Sequence, residues 1–189
     1  MTDPATTSEA KPKLRIATCS LAGCFGCHMS LLDIDERLVP LLEHVTFDRS
    51  PLVDYKDFQQ IADVGLIEGG VCNAHNVHVL REFRRHCRLL VAVGECAATG
   101  GVPAMRNAYS LRACLEESFI RGIGIEDAHI PEDPELPLLL EKVHPIHEIV
   151  HIDYTLPGCP PSADVFWSFF SDLIAGRPPR VARANIRFD

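Results

Sequence analysis

The sequence predicts an open, mostly parallel α/β sheet of the doubly wound type, built as one domain. Three observations carry that prediction. Short apolar runs of strand length alternate with stretches of helical periodicity. Residues 88–94 (RLLVAVG) are almost uninterruptedly apolar, as a strand covered on both faces must be. Each main run passes into glycine or proline before the next helical stretch, which is the punctuation of strand, tight loop and helix.

Residues 1–13 are polar and read as a flexible tail, 14–176 as the folded domain and 177–189 as a C-terminal extension. Residues 14–20 (LRIATCS) form the first strand, followed by a loop with Gly23 and Gly26 and a helix over 29–45 that Pro40 ends or kinks. Residues 46–53 (TFDRSPLV) are a candidate edge strand, and 63–67 (DVGLI) a third strand leading into Glu68-Gly69-Gly70. A helix over 73–87 has its start signal at Asn73, whose short side chain can accept a bond from a first-turn amide. After strand 88–94 come a short helix near Pro103 and a helix over 110–123. Pro131, Pro134, Pro137 and Pro145 break up 126–146, which reads as an extended surface loop, suited to contacting a partner or to being a plain insertion. Residues 147–153 (HEIVHID) form the last strand, and a helix over 162–176 stops at Gly176 and Pro178.

A chain of 189 residues can bury one substantial core without disulfide staples. Its net charge of -8 argues against broad phosphate-backbone binding, which needs clustered cations, so no nucleic acid partner is expected. The one basic run, from Arg81 to Arg88, reads as a solvated helix face that could also meet an acidic partner or an anion. No run of roughly eighteen apolar residues occurs, so no membrane span is expected. The opening MTDPATTSEAKP lacks the apolar core or twin arginine of an export signal, and a cytoplasmic location is expected. In that reducing compartment the eight cysteines serve as metal ligands or buried thiols in preference to disulfides.

Four of them follow strands: Cys24 and Cys27 after the first, Cys96 after 88–94, and Cys159 in the LPGCPP loop after the last. Parallel strands put these loops at one sheet edge, where open α/β folds bind ligands. The C-x-x-C pair lets two thiolates chelate one site, and the N-terminus of the following helix favours thiolate over thiol. A structural zinc site usually pairs two such knuckles in a small fold, whereas one knuckle plus two distant cysteines suits a [4Fe-4S] cluster with four cysteine ligands. Zinc stays open as an alternative, as does a thioredoxin-like redox pair, which leaves Cys96 and Cys159 without a role. Cys19, Cys87 and Cys114 sit among apolar neighbours and read as core or helix-surface residues. Cys72, shortly after Glu68-Gly69-Gly70, reaches the same edge and could line the site or replace one ligand.

The C-x-x-C after the first strand, Gly94-Glu95-Cys96-Ala97-Ala98-Thr99-Gly100-Gly101 and Pro157-Gly158-Cys159-Pro160-Pro161 together resemble the small subunit of [NiFe] hydrogenases, over residues 14 to 175. GECAATGGVPAMRN and the short length look most like the small subunit of the cytoplasmic NAD-reducing hydrogenases. The resemblance implies a flavodoxin-like domain in which Cys24, Cys27, Cys96 and Cys159 ligate one [4Fe-4S] cluster, proximal to a nickel-iron centre held in a separate large subunit. It implies electron transfer in the reaction of H2 and NAD+ to NADH and a proton, with diaphorase subunits that carry FMN, further iron-sulfur clusters and the NAD site. Exported relatives carry a twin-arginine leader and a cysteine-rich C-terminal domain, so a single cluster is expected in a sequence that stops at Asp189. The related subunit of respiratory complex I has adjacent cysteines at its cluster, and the absence of a Cys-Cys pair here weighs against that reading.

Around the cysteines, Glu68 and Glu95 could relay protons or hydrogen-bond the ligands, and His28, next to Cys27, could bond a cluster sulfur or a partner carboxylate. Asp33, Asp35 and Glu36 read as solvated helix residues, and His75, His78 and Glu82, like His144, His147 and His151, as surface positions. Helix N-termini and glycines suit a flavin phosphate as well as thiolates, but cysteines replace the hydroxyl residues it would prefer, which argues against FMN in this chain. A stand-alone FMN- or zinc-binding flavodoxin-like module is the alternative. Phe25, Val102, Pro103 and Met105 are candidate contacts for a permanent partner covering the cysteine edge.

Overall fold

A computed structural model describes residues 12–181, 185 and 186, so residues 1–11 of the expected tail lie outside the described residues, as do 182–184 and 187–189 of the extension. The elements run β1 (Leu14–Ser20), α1 (Gly26–Leu32), a 3-10 turn (Asp35–Arg37), α2 (Leu38–His44), β2 (Val45–Phe47), β3 (Ala62–Glu68), β4 (Val71–Asn73) and α3 (Ala74–His86). They continue with β5 (Cys87–Val93), α4 (Gly94–Thr99), a 3-10 helix (Val102–Ala108), α5 (Leu111–Phe119), β6 (Leu139–His144), a 3-10 turn (Ile146–Glu148), β7 (Tyr154–Leu156) and α6 (Ala163–Ile174). Five strands pair in the order β2-β1-β3-β5-β7, every pair parallel, while β4 and β6 form a small antiparallel sheet. Counting only the strands of the large sheet, this is the flavodoxin-like order 2-1-3-4-5, and the α/β architecture is the one the alternation of runs predicts.

Alternate residues of each central strand supply two cores, because successive side chains point to opposite faces. Ile16, Val64, Leu66, Val91 and Val93 pack with Leu31, Leu41, Phe166, Phe169 and Phe170 of α1, α2 and α6. Ala17, Ile67, Leu90 and Ala92 pack with Val79, Leu80 and Phe83 of α3 and with Ile146. Asn73 caps α3, its Oδ1 accepting the Asn76 amide at 2.7 Å.

The sequence reading needs correcting in five places. The helix expected over 29–45 breaks at Asp33–Asp35, where Asp35 takes φ 62°, and not at Pro40. Pro40 is the third residue of α2, in a first turn whose amides have no partner within the helix, so its missing N–H is harmless. Residues 147–153 are no strand: Ile149, Val150 and Ile152 pack on the α3-side core from an irregular segment, and pairing with β5 starts at Tyr154. Asp153 sets that start, donating its amide to the Leu90 carbonyl at 2.8 Å and accepting the Leu90 amide on its carboxylate at 2.7 Å. Within the expected loop 126–146 lies β6, held to the 3-10 helix by Asn107, which bonds both the amide and the carbonyl of Val143, at 2.7 and 2.8 Å. Cys87 opens β5 instead of closing α3, and Cys96 sits inside a short helix.

Phe169 is fully buried and meets Tyr154 and Phe170 edge-on. Truncating it leaves a cavity between α6 and the sheet, so Phe169→Ala is expected to lower unfolding free energy by about 3–5 kcal/mol in urea titrations.

Candidate metal centre

Parallel strands end at one edge, and the loops there are stitched to one another before any cysteine is considered. The loop after β1 exchanges backbone bonds with the loop after β3, Ala22 and Gly70 each donating to the other's carbonyl at 3.0 and 2.8 Å. The Glu95 amide donates to the Gly158 carbonyl at 3.0 Å, joining α4 to the loop after β7. Ser30 of α1 donates to the Pro161 carbonyl at 2.5 Å, tying the first loop to the last.

These ties bring Cys24, Cys27, Cys96 and Cys159 around one cavity of about 80 Å³, together with Glu68, Glu95, Gly26, Gly158 and Pro160. Cys24 and Cys159 are exposed at its mouth, and Cys27 and Cys96 are half-buried in its wall. Two glycines keep the sulfurs clear. A side chain at Gly94, where φ is +78°, would overlap the Cys27 sulfur, and one at Gly101, where φ is +49°, would press on the Cys96 sulfur at 3.0 Å. Among the described residues no three Cys, His, Asp or Glu side chains converge on a position fit for a single metal ion. Four soft donors thus line a common space, the donor set that iron and zinc thiolate centres use.

Glu68 ends β3 with its carboxyl only 2% exposed. Its Oε2 accepts the His28 backbone amide at 3.0 Å and lies 2.5 Å from the ring Nδ1, while Oε1 is buried with no hydrogen-bond partner among the described residues. The His28 Nε2 is 2.9 Å from Thr18 Oγ1, which is 2.7 Å from Ser50 Oγ. Phe25 stacks flat on the His28 ring, centroids 4.5 Å apart. Both ring nitrogens of the buried His28 are therefore taken up by Glu68 and Thr18. Thr18 and Ser50 were invisible to motif reasoning; the sole trace was a hydroxyl inside the apolar run LRIATCS.

Glu95 lines the cavity and accepts from the Thr99 hydroxyl at 3.3 Å. Cys72 is not among the lining residues: its thiol points to Asn76 Oδ1 at 3.3 Å, next to the β4–β6 pair. Asp33, Asp35 and Glu36 lie around the break after α1. Of the histidine sets, Glu82 is engaged by Arg49 at 2.6 Å and His144 by Glu148 at 2.6 Å. The basic run is partly structural, since Arg84 bonds Asp153 at 2.6 Å and the carbonyls of Cys87 and Arg88. Val102 and Met105 are 68% and 70% exposed, Pro103 half-buried, and Phe25 is taken up by its stacking on His28.

Burial, then the Glu68 carboxyl and the thiols of Cys24, Cys96 and Cys159, push the Cys27 thiol far above its usual range. Burial and Cys159 raise Cys96 as well. Gathering four thiols beside a buried carboxyl disfavours thiolates, and a bound cationic centre would reverse that balance. All eight cysteines are free. No described helix is long and apolar enough to cross a membrane.

Comparison with known proteins gives concordant results. The family model for the NADH ubiquinone oxidoreductase 20 kDa subunit matches residues 24–173. The chain is 43% identical over 190 residues to the NAD-reducing hydrogenase HoxS subunit delta of Cupriavidus necator, covering 99% of this chain and 91% of that one. It is 33% identical over 178 residues to a subunit of the F420-non-reducing hydrogenase of Methanothermobacter thermautotrophicus, covering 92% of this chain but only 58% of the longer relative. A chain in the crystal structure of an NAD+-reducing [NiFe]-hydrogenase in the H2-reduced state superposes with a TM-score of 0.90 at 57% identity, over 94% of this chain and all of that one. A chain of the Desulfomicrobium baculatum Ni-Fe-Se hydrogenase, at 17% identity and a TM-score of 0.58 over 93% of this chain and 69% of that one, shares the fold.

Thiol labelling of the metal-free native chain separates these environments. Cys24 and Cys159 are expected to react first, while Cys19 and Cys87, whose thiols burial pushes up to about 12, react only on unfolding or as pH approaches that value. The sign follows from thiolate being the reactive form, so a raised pKa removes reactivity at neutral pH; mass spectrometry of timed labelling reads the order.

Proposed function

The chain belongs to the NADH ubiquinone oxidoreductase 20 kDa subunit family, and on that premise we propose that it is the electron-transfer small subunit of a soluble, NAD-reducing [NiFe] hydrogenase, holding one [4Fe-4S] cluster. The observation that carries the reading is the common cavity shared by the four loop cysteines, kept open by Gly94 and Gly101. Cys24, Cys27, Cys96 and Cys159 would each supply one thiolate. Such a cluster, when bound, takes up and releases single electrons.

The residues of this chain then divide the work. The four cysteines hold the centre, the glycine loops exclude side chains from its space, and Glu68 and Glu95 present carboxyls at its edge. The catalytic nickel-iron site belongs to a large-subunit partner, and the flavin, the NAD site and further iron-sulfur clusters to diaphorase subunits, as the name of the Cupriavidus relative and the reaction of H2 with NAD+ suggest. Val102 and Met105, exposed and apolar just beyond Cys96, are suited to lie under such a partner. Cysteines stand in the loop after β1 where a flavin phosphate would prefer hydroxyl residues, which supports placing FMN in a partner. A cytoplasmic location and the absence of nucleic acid from the assembly remain part of the proposal.

Anaerobic purification of this chain, separated from its partner subunits, tests it. Iron and acid-labile sulfide of about four each per chain, with broad visible absorption, is the expected result. Stoichiometric zinc or FMN without iron would sink the proposal. Cys96→Ser and Cys159→Ser are expected to lose most of the iron of the isolated chain and, in the co-purified complex, the hydrogen-dependent reduction of NAD, with Cys114→Ser close to the parent. Equal loss at Cys114 would mean a different ligand set. Gly94→Ala is expected to lower iron content too, since its side chain would overlap the Cys27 sulfur.

A further inference from the structure

The helix that carries Cys27 starts in an unusual way. Amides of a helix's first turn are commonly taken by the side chain of the residue just before it. Here that residue is Phe25, in a left-handed conformation at φ 66°, with no side-chain bond to offer, and the first turn holds no acidic residue. The third residue of α1, His28, instead gives its amide to Glu68, forty positions along the chain at the end of β3. The same oxygen engages the ring of His28, and the other ring nitrogen is fastened to Thr18 in β1 and through it to Ser50 after β2. Every member of this column is at most 5% exposed.

We propose that Glu68 and His28 are positioning residues for the cysteine cage: Glu68 caps α1 from another strand, and the column Glu68–His28–Thr18–Ser50 fixes the first turn that carries Cys27. The inference rests on the reading of the four cysteines as cluster ligands. Cys27, the second residue of α1, precedes the amide that Glu68 holds, so the sulfur's place in the cavity wall follows from a bond made outside the C-x-x-C loop. Phe25 closes the arrangement from the solvent side by stacking on the same ring. A carboxyl at a helix start also meets the positive end of the peptide dipoles, which strengthens the cap. Ser50 accepts the Leu52 amide at 3.1 Å, so the column ends in a turn that is itself held.

The test uses the co-purified complex carrying Glu68→Gln, Thr18→Val or Thr18→Ser. Glu68→Gln replaces one carboxyl oxygen by an amide, Thr18→Val removes one link while keeping the shape, and Thr18→Ser restores the hydroxyl. The expected result is near-parent iron and sulfide in all three, with an altered electron paramagnetic resonance spectrum of the reduced cluster in Glu68→Gln and Thr18→Val only. Iron release to a chelator is expected to speed up by roughly tenfold in Glu68→Gln, the scale of one lost charge-assisted hydrogen bond, and to return to the parent rate in Thr18→Ser. A role confined to general stability would lower the melting temperature and leave the cluster spectrum unchanged; parent-like spectra and release rates in both Glu68→Gln and Thr18→Val overturn the proposal. If Glu68→Gln does not assemble, Thr18→Val and Ser50→Ala decide by the same two readouts. If the parent chain, separated from its partners, holds no iron or sulfide, the cage reading fails separately, and hydrogen exchange at the His28 amide then judges the column: faster exchange in Glu68→Gln supports it, unchanged exchange overturns it.

Discussion

Five strands point the same way, and in such a sheet each strand-to-helix loop must emerge at the same edge. Cysteines separated by up to 135 positions, from Cys24 to Cys159, become neighbours through this constraint without any local motif joining them. The two-faced core is what enforces it. Alternate residues of β1, β3 and β5 are buried against α1 and α6 on one side and α3 on the other, so the strands cannot slip register without exposing both sets. The cage inherits its precision from that packing, and the bonds between the loops after β1 and β3, between α4 and the loop after β7, and from Ser30 to Pro161 transmit it outward.

Burial and charge pull against each other at this edge. Cys27 and Cys96 sit where desolvation and the neighbouring thiols disfavour thiolate, and a buried carboxyl stands beside them. Such thiols hold their protons firmly, and a bound cationic centre would have to displace them, so metal binding at this edge would release protons. Buried Cys19 and Cys87 show the contrast: their thiols are raised by burial too, but among apolar neighbours and away from the cavity, where small hydrophobic packing is all that is asked of them.

The strands of the large sheet were legible wherever apolar alternation or an unbroken apolar run coincided with turn residues, as in 14–20, 63–67 and 88–94. Asn73 announced α3 because capping is a local property of one side chain and one turn. Reading failed where a distant side chain decided the outcome. HEIVHID has the composition of a strand, yet Asp153 places the first pairing with β5 after it, and β6 pairs with β4, far away in sequence, while Asn107 and Arg106 hold its backbone. No periodicity in a single segment records those bonds.

By itself the sequence determined the α/β class, the placement of four cysteines after strands, and, through GECAATGG and PGCPP, the family to which they belong. These are encoded in residues near one another along the chain, where propensity and turn chemistry act. Only the tertiary structure decided that Cys72 turns away from the cavity, that His28 faces inward to Glu68 and Thr18, and that the first helix is capped from β3. Those outcomes depend on which buried polar groups find partners across the fold, and a buried donor accepts whichever acceptor the packing brings within reach, however far away it lies in sequence.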